Sequence, residues 1–325
     1  MQRYILRRIL LMAPTVVGVT FALFMLIRFI PGDVIQQIAG ESAVITPEVR
    51  ADIEHRLGLD QPWYTQYWAW LFDAVRGDFG ESLRSGVPVS EELRHRLPVT
   101  LELTTLALMV SLLIALPVGI LSAVRQDTWM DYVARSIAIG ALAVPVFWLA
   151  TLVIVLPSVW WKVAPPLKYV DLWDDPWRNL QIMLFPYGKF IPVGPAVLLG
   201  VGLSGTVMRL TRAQMLEVLR QDYIRTAWAK GLRERTVITR HAMKNALIPV
   251  VTVVGLQLPF LIGGAVIIES IFSIPGTGRY LLSAIQGLDY TVVQSVVLII
   301  AVAVVVSNLL VDLTYAYLDP RIRYT

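Results

Sequence analysis

The sequence predicts an all-α integral membrane protein with about six transmembrane helices. Three observations lead there. Several apolar runs reach the roughly 20 residues that a helix needs to cross hydrocarbon. Hydrophobic residues make up 56% of the 325, with a mean hydropathy of +0.63, against roughly 45–50% apolar in soluble domains. Lys and Arg gather in alternate connections between the apolar runs, as they do when one side of a bilayer is cytoplasmic.

The first apolar run is Ile9–Ile27, preceded by Arg3, Arg7 and Arg8. No small-residue cleavage signal follows it. It reads as an uncleaved span, residues 1–30, with a cytoplasmic start. Residues 31–98 form a polar extracytoplasmic insert with amphipathic helices. Thr46-Pro47 reads as a helix start and Gly58 as its stop, with Val49, Ile53 and Leu57 as its stripe. A second helix is predicted over Trp63–Val75, with Trp63, Tyr67, Trp70, Leu71 and Ala74 on one side. Its aromatics suit a membrane interface. Arg76-Gly77-Asp78 reads as a turn.

Residues 99–325 hold five further spans. They are Val99–Val124, Tyr132–Leu156, Phe190–Met208, Leu247–Phe272 and Thr291–Leu318. Ser158–Lys189 reads as an outer loop and Ser273–Tyr290 as an outer connection. Six spans put both termini on the cytoplasmic side. The inner segments then hold 16 Lys and Arg against six acids; the longer outer segments hold 11 against 15 acids. Arg28, Glu102, Glu269 and Asp312 lie within about two turns of span ends. There the interface is expected to solvate them, with Glu269 kept as a possible lining of a polar pathway. Proline and glycine within the spans read as kinks and close packing.

Between the fourth and fifth spans lies a basic cytoplasmic loop, residues 209–246. Its centre, Gln221–Arg233, is amphipathic at helical spacing. Tyr223, Ile224, Ala227, Trp228, Gly231 and Leu232 occupy one half of the circumference. Asp222, Arg225, Thr226, Ala229, Lys230 and Arg233 occupy the other. That pattern lies along a surface and does not cross a membrane. Gly231 suits the stop, and a second helical run leads into the next span. Chemistry alone leaves three readings open: a solvated loop, a lipid-binding helix, and a helix on which a soluble partner docks.

Catalytic signatures are missing from the chain. There is no G-x-x-x-x-G-K-[ST] phosphate loop, no G-x-S-x-G elbow and no H-E-x-x-H pair among three histidines. With no cysteine, thiol chemistry and disulfides are excluded. A net charge of +4 segregated by topology does not point to nucleic acid.

The stretches DYIRTAWAKGL and RHAMKNALIP resemble the cytoplasmic loop of ABC-importer permeases of the oligopeptide/dipeptide/nickel class. Against the broader Glu-Ala-Ala pattern, Arg225-Thr226-Ala227 holds the first three places and Gly231 the glycine. GDFGESLRSGVPVSEELRHRLPVTLEL, LIGGAVIIESIFSIPGTGRYLLSAIQGLDY and VDLTYAYLDPRIRY are similar to the same class, so the resemblance covers most of the chain.

It implies a type I importer permease with a cytoplasmic coupling helix, in a bacterial or archaeal inner membrane. The implied partners are a second homologous permease, two ABC ATPase subunits, an extracytoplasmic solute-binding protein and the bilayer. ATP and Mg would be bound by the ATPases, with no cofactor, metal or catalytic residue in this chain, which is thus no enzyme by itself. The implied coupling residues are Asp222, Tyr223, Arg225, Thr226, Ala227, Lys230, Gly231 and Leu232. An ion-coupled secondary transporter is the alternative; its usual internal repeat and midplane charges are not evident.

Overall fold

Thirteen α-helices and one π-helical segment account for nearly all regular structure among the described residues. The computed structural model describes residues 2–29, 46–47, 60–163, 168–187 and 193–318. The expected helix after Thr46-Pro47 falls almost wholly outside them, as does the stretch around Pro320. Two compact units emerge, one of residues 1–98 and 279–305, the other of residues 99–278 and 306–325.

In the first unit, α1 (Gln2–Phe29) carries α2 (Trp63–Val75). Tyr67 anchors the pair. Its hydroxyl donates to the Val17 carbonyl at 2.9 Å and lies 3.0 Å from Thr20 Oγ1, while its ring meets Phe21 and Phe24 edge-on. The predicted inner side of α2 holds for Tyr67 and Ala74, which are buried. Trp63 is half exposed and tilts against Phe21. Arg76-Gly77-Asp78 is a turn, with Gly77 at φ +89°.

The unit's core gathers Val89 and Leu93 from α3 (Val89–Val124), Ala284 from α12 (Thr277–Gln286), and Val292, Val293 and Val296 from α13 (Tyr290–Leu318). Asp289 organises its rim. One carboxylate accepts from Ser82 Oγ at 2.6 Å, from the Leu83 and Arg84 amides, and from the Val292 amide, where it caps α13.

The second unit contains α4 (Trp129–Ala143), α5 (Val146–Trp160), α6 (Pro176–Leu184), α7 (Pro195–Leu219) and α8 (Asp222–Ala229). Then come α9 (Glu234–Thr236), the π-helical Val237–Ala242, α10 (Met243–Leu256) and α11 (Leu258–Ile271). Its main core packs Leu103 and Ala107 of α3, Leu198 and Leu199 of α7, and Leu261, Ala265 and Ile268 of α11.

Several predicted spans change shape. The helix expected from Val99 starts at Val89, since Glu91 and Glu92 supply a favourable acidic first turn. The expected span Tyr132–Leu156 is two helices meeting at 90° before Pro145, a residue that disfavours helix at Val144. The expected span Leu247–Phe272 is likewise bent, by 54° around Gln257. Two expected outer connections contain helices. In one, Asp175 accepts from the Arg178 amide and caps α6 at 3.0 Å; the other contains the whole of α12.

Among the described residues two helices are long and apolar enough to span, Val89–Val124 and Tyr290–Val311, or four if each bent pair is one span. The fold is therefore all-α with multiple membrane-crossing candidates.

Candidate coupling surface

Helix α8 is two-faced because of the company each side keeps. Ile224 is fully buried and Ala227 is 6% exposed. Both sink into a cluster made by Ala123 of α3, Met215 of α7, Val237 and Ala242 of the π segment, and Ala246 of α10. Asp222, Arg225, Thr226, Trp228, Ala229 and Lys230 face solvent. The Asp222–Arg225 pair, 3.5 Å apart, is so exposed that it contributes little stability.

The helix stops as its sequence demands. Gly231 takes φ +74°, the left-handed conformation that side chains resist. The Gly231 amide bonds the Trp228 carbonyl at 2.9 Å and the Leu232 amide bonds Ala227 at 3.4 Å. Leu232 then packs on the cluster that holds Ala227. This is a Schellman stop with its apolar contact. Tyr223 fixes the other end: its hydroxyl accepts from Asn245 Nδ2 at 2.8 Å and lies 3.4 Å from the His241 carbonyl.

Of the eight expected coupling residues, Asp222, Tyr223, Arg225, Thr226, Lys230 and Gly231 are thus exposed. Ala227 and Leu232 belong to the inner side, where the smallness of Ala227 serves contact with the chain's own helices. Sequence periodicity grouped Tyr223 and Trp228 with the buried face; both sit at its margins, 42% and 45% exposed.

Beside this surface lies a charge that the sequence pattern did not single out. Asp131, fully buried at the start of α4, receives both Arg212 Nε and Nη2 of α7 at 2.8 Å. Ser122 of α3 donates to the same carboxylate, as does the Asp127 amide at 3.0 Å, and Arg135 stands 3.3 Å away. A basic residue at Arg212 and an acid at Asp131, 81 positions apart, carry no local signal of pairing.

Glu269 is a correction to the interfacial expectation. It is fully buried and accepts from Thr100 Oγ1 at 2.6 Å. Thr100 Oγ1 in turn receives the Thr277 amide at 2.8 Å. A Cβ on Gly276 would overlap the Glu269 carboxylate, so the Pro-Gly-Thr-Gly turn is shaped to lie on that acid. Glu102, also expected at the interface, is half-buried and accepts from Tyr169 at 2.9 Å. Burial and the Glu102 carboxylate push the Tyr169 phenol well above its usual range. The side chains of Arg28 and Asp312 lie outside the described set. Among the described residues no group of three His, Cys, Asp or Glu is placed to hold a metal ion.

Comparison with known proteins gives two family matches. "Binding-protein-dependent transport system inner membrane component" matches residues 115–324, and the corresponding N-terminal family matches residues 1–104. The dipeptide transport system permease protein DppB of Alkalihalophilus pseudofirmus is 41% identical over the whole of both chains. DppB of Escherichia coli K12 is 41% identical, covering all of this chain and 99% of its own. The di/tripeptide transport system permease protein DppB of Pseudomonas aeruginosa UCBPP-PA14 is 39% identical with the same coverage. Among solved structures, a chain of the MetNI methionine ABC transporter in an inward-facing conformation aligns with a TM-score of 0.55. It is 17% identical and covers 70% of this chain and 96% of that one. A chain of an amino acid ABC transporter with histidines gives 0.52 at 14% identity, covering 70% and 94%.

Proposed function

The chain belongs to the family of binding-protein-dependent transport system inner membrane components, and from that premise we propose that it is one permease subunit of an ATP-driven ABC importer for dipeptides and other short peptides. The peptide cargo rests on the names of relatives matched along their full length. The chain works with a second permease, two ABC ATPase subunits and an extracytoplasmic solute-binding protein. ATP and Mg stay with the ATPases. This chain supplies half of the translocation pathway and carries out no chemistry of its own.

The observation that carries the coupling role is the division of α8. Ile224 and Ala227 lock the helix into one cluster with α3, α7, the π segment and α10. Asp222, Arg225, Thr226 and Lys230 remain exposed toward a partner's groove, with Tyr223 and Gly231 at its ends. A pull on that outer face passes to the membrane helices through packed contacts. Nucleotide-driven closure of the ATPases then rocks the spans, and the pathway alternates between inward and outward access. In this reading residues 1–30 and five helices within 99–325 make six spans, residues 31–98 are extracytoplasmic, and both termini are cytoplasmic. Glu269 lines the pathway in the state where its contact with Thr100 opens.

The test is co-purification of the tagged chain with its co-expressed partners in mild detergent. The expected result is a phosphate-loop ATPase retained by the wild type and lost on Arg225→Glu with Lys230→Glu, while the second permease stays bound. A lone chain that moves dipeptide into liposomes on an ion gradient without ATP would overturn the reading.

A further inference from the structure

We propose that Asp131 is a positioning residue for the coupling surface, joining α4 to α3 and α7, two of the elements on which α8 is seated. The inference rests on the reading of α8 as the ATPase contact.

The cluster under α8 draws on α3 and α7 but on no residue of α4. Helix α4 touches α7 through Ala134 and Ala138, packed on Val207 and Met208. Small apolar side chains resist sliding weakly, and they set no direction. Asp131 adds what they lack. Its two oxygens receive the two parallel donors of Arg212, a fork that fixes orientation as well as distance. Ser122 brings in α3 through the same carboxylate.

The neighbours of these donors matter. Ser122 immediately precedes Ala123, and Arg212 lies three residues before Met215. Ala123 and Met215 are in the floor beneath Ile224 and Ala227. A displacement of α8 therefore enters α3 and α7 within one helical turn of the clamp, and the clamp carries α4 with them. Stability alone does not account for the arrangement. A buried ion pair gives little net stabilisation over apolar residues of the same size. What it supplies here is one permitted geometry among three helices.

The experiment uses the whole complex in liposomes with the solute-binding protein and a radiolabelled glycyl-leucine dipeptide. Dipeptide moved per ATP hydrolysed is measured beside ATPase retention and thermal unfolding. Three variants are compared: Arg212→Lys, Asp131→Asn, and Asp131→Leu with Arg212→Met. Retention of the ATPase is expected to be unchanged, because the exposed side of α8 is untouched. The transport-to-hydrolysis ratio is expected to fall roughly threefold or more in Arg212→Lys and in Asp131→Asn. The apolar pair is expected to recover thermal stability but not the ratio. A recovered ratio in the apolar pair, or an unchanged ratio in Arg212→Lys, would overturn the inference and leave the clamp a purely structural contact. If Asp131→Asn does not assemble, Arg212→Lys decides. A wild-type chain that retains no ATPase would overturn the reading of α8, and this inference with it.

Discussion

Tyr187 donates its hydroxyl to the Val153 carbonyl at 2.7 Å. An α-helix would pair that carbonyl with the amide of residue 157, but Pro157 has none. The tyrosine thus closes the gap that a proline opens inside α5. Its ring also walls an apolar cavity of about 420 Å³ shared with Leu152, Leu156, Trp160 and Val193. Tyr187→Phe is expected to lower stability by about 1 kcal/mol in detergent unfolding. In a Pro157→Ala background the same change should cost almost nothing, because Val153 then has a backbone donor. Equal costs in both backgrounds would contradict this account.

The Gly276–Glu269 contact makes a sharper test. Gly276→Ala places a methyl group on a buried carboxylate, and overpacking of this kind costs typically about 1–3 kcal/mol. Pairing it with Glu269→Ala should recover much of the loss. Thermal unfolding of the two single variants and the double variant measures the coupling directly.

The faces of α8 should separate by phenotype. Ile224→Ala removes a fully buried side chain and should destabilise by about 2–5 kcal/mol. Arg225→Ala, on the exposed side, should change stability by less than about 0.5 kcal/mol yet weaken ATPase retention. If Arg225→Ala unfolds the protein or leaves retention intact, the two-sided description fails.

Tyr280 predicts a pH dependence. Its hydroxyl is buried without a hydrogen-bond partner, and the Arg96 guanidinium lies 4.6 Å from its ring centre. Burial and then the Glu92 carboxylate push the phenol up to about 12 from an ordinary 10.0. The folded state thus favours the neutral phenol. Its contribution is complete below pH 10 and is lost as pH rises toward 12. Tyr280→Phe should abolish that part of the alkaline slope. At neutral pH it should be neutral or slightly stabilising, since it removes an unsatisfied polar atom. Comparing unfolding of wild type and variant between pH 8 and 12 checks both signs.

Much of the helical plan was legible because it rests on local chemistry. Trp63–Val75 appears with the predicted ends, and α13 starts one residue before its predicted position. The α8 stop was written in Gly231. Bends were legible in place but not in size: Pro145 marks one break and Pro259, just after Gln257, marks the other, yet neither residue fixes the angle. The polar nodes were hidden for another reason. Asp131–Arg212, Glu269–Thr100 and Asp289–Ser82 join residues 81, 169 and 207 positions apart, and hydropathy ranks each such acid only by its distance from a span end. The quoted stretches GESLRSG and GLDY each resembled the same family, yet only the fold reveals that they meet at one carboxylate.

The π-helical turn at Val237–Ala242 has a consequence for how the chain tolerates length change. A π turn carries one residue more than the α turn it replaces. Deleting any one of its six residues therefore lets the segment relax to an ordinary helix without breaking the rod. The side chains on either side keep their faces, because the residue that leaves is the spare one. The Asn245 amide would stay at the Tyr223 hydroxyl, and Ala246 would stay in the floor under Ile224. A deletion in the α-helix that follows has no such reserve and would rotate one side by about 100° against the other. The turn is a reserve of length: it absorbs a lost residue that α10, next to it, could not.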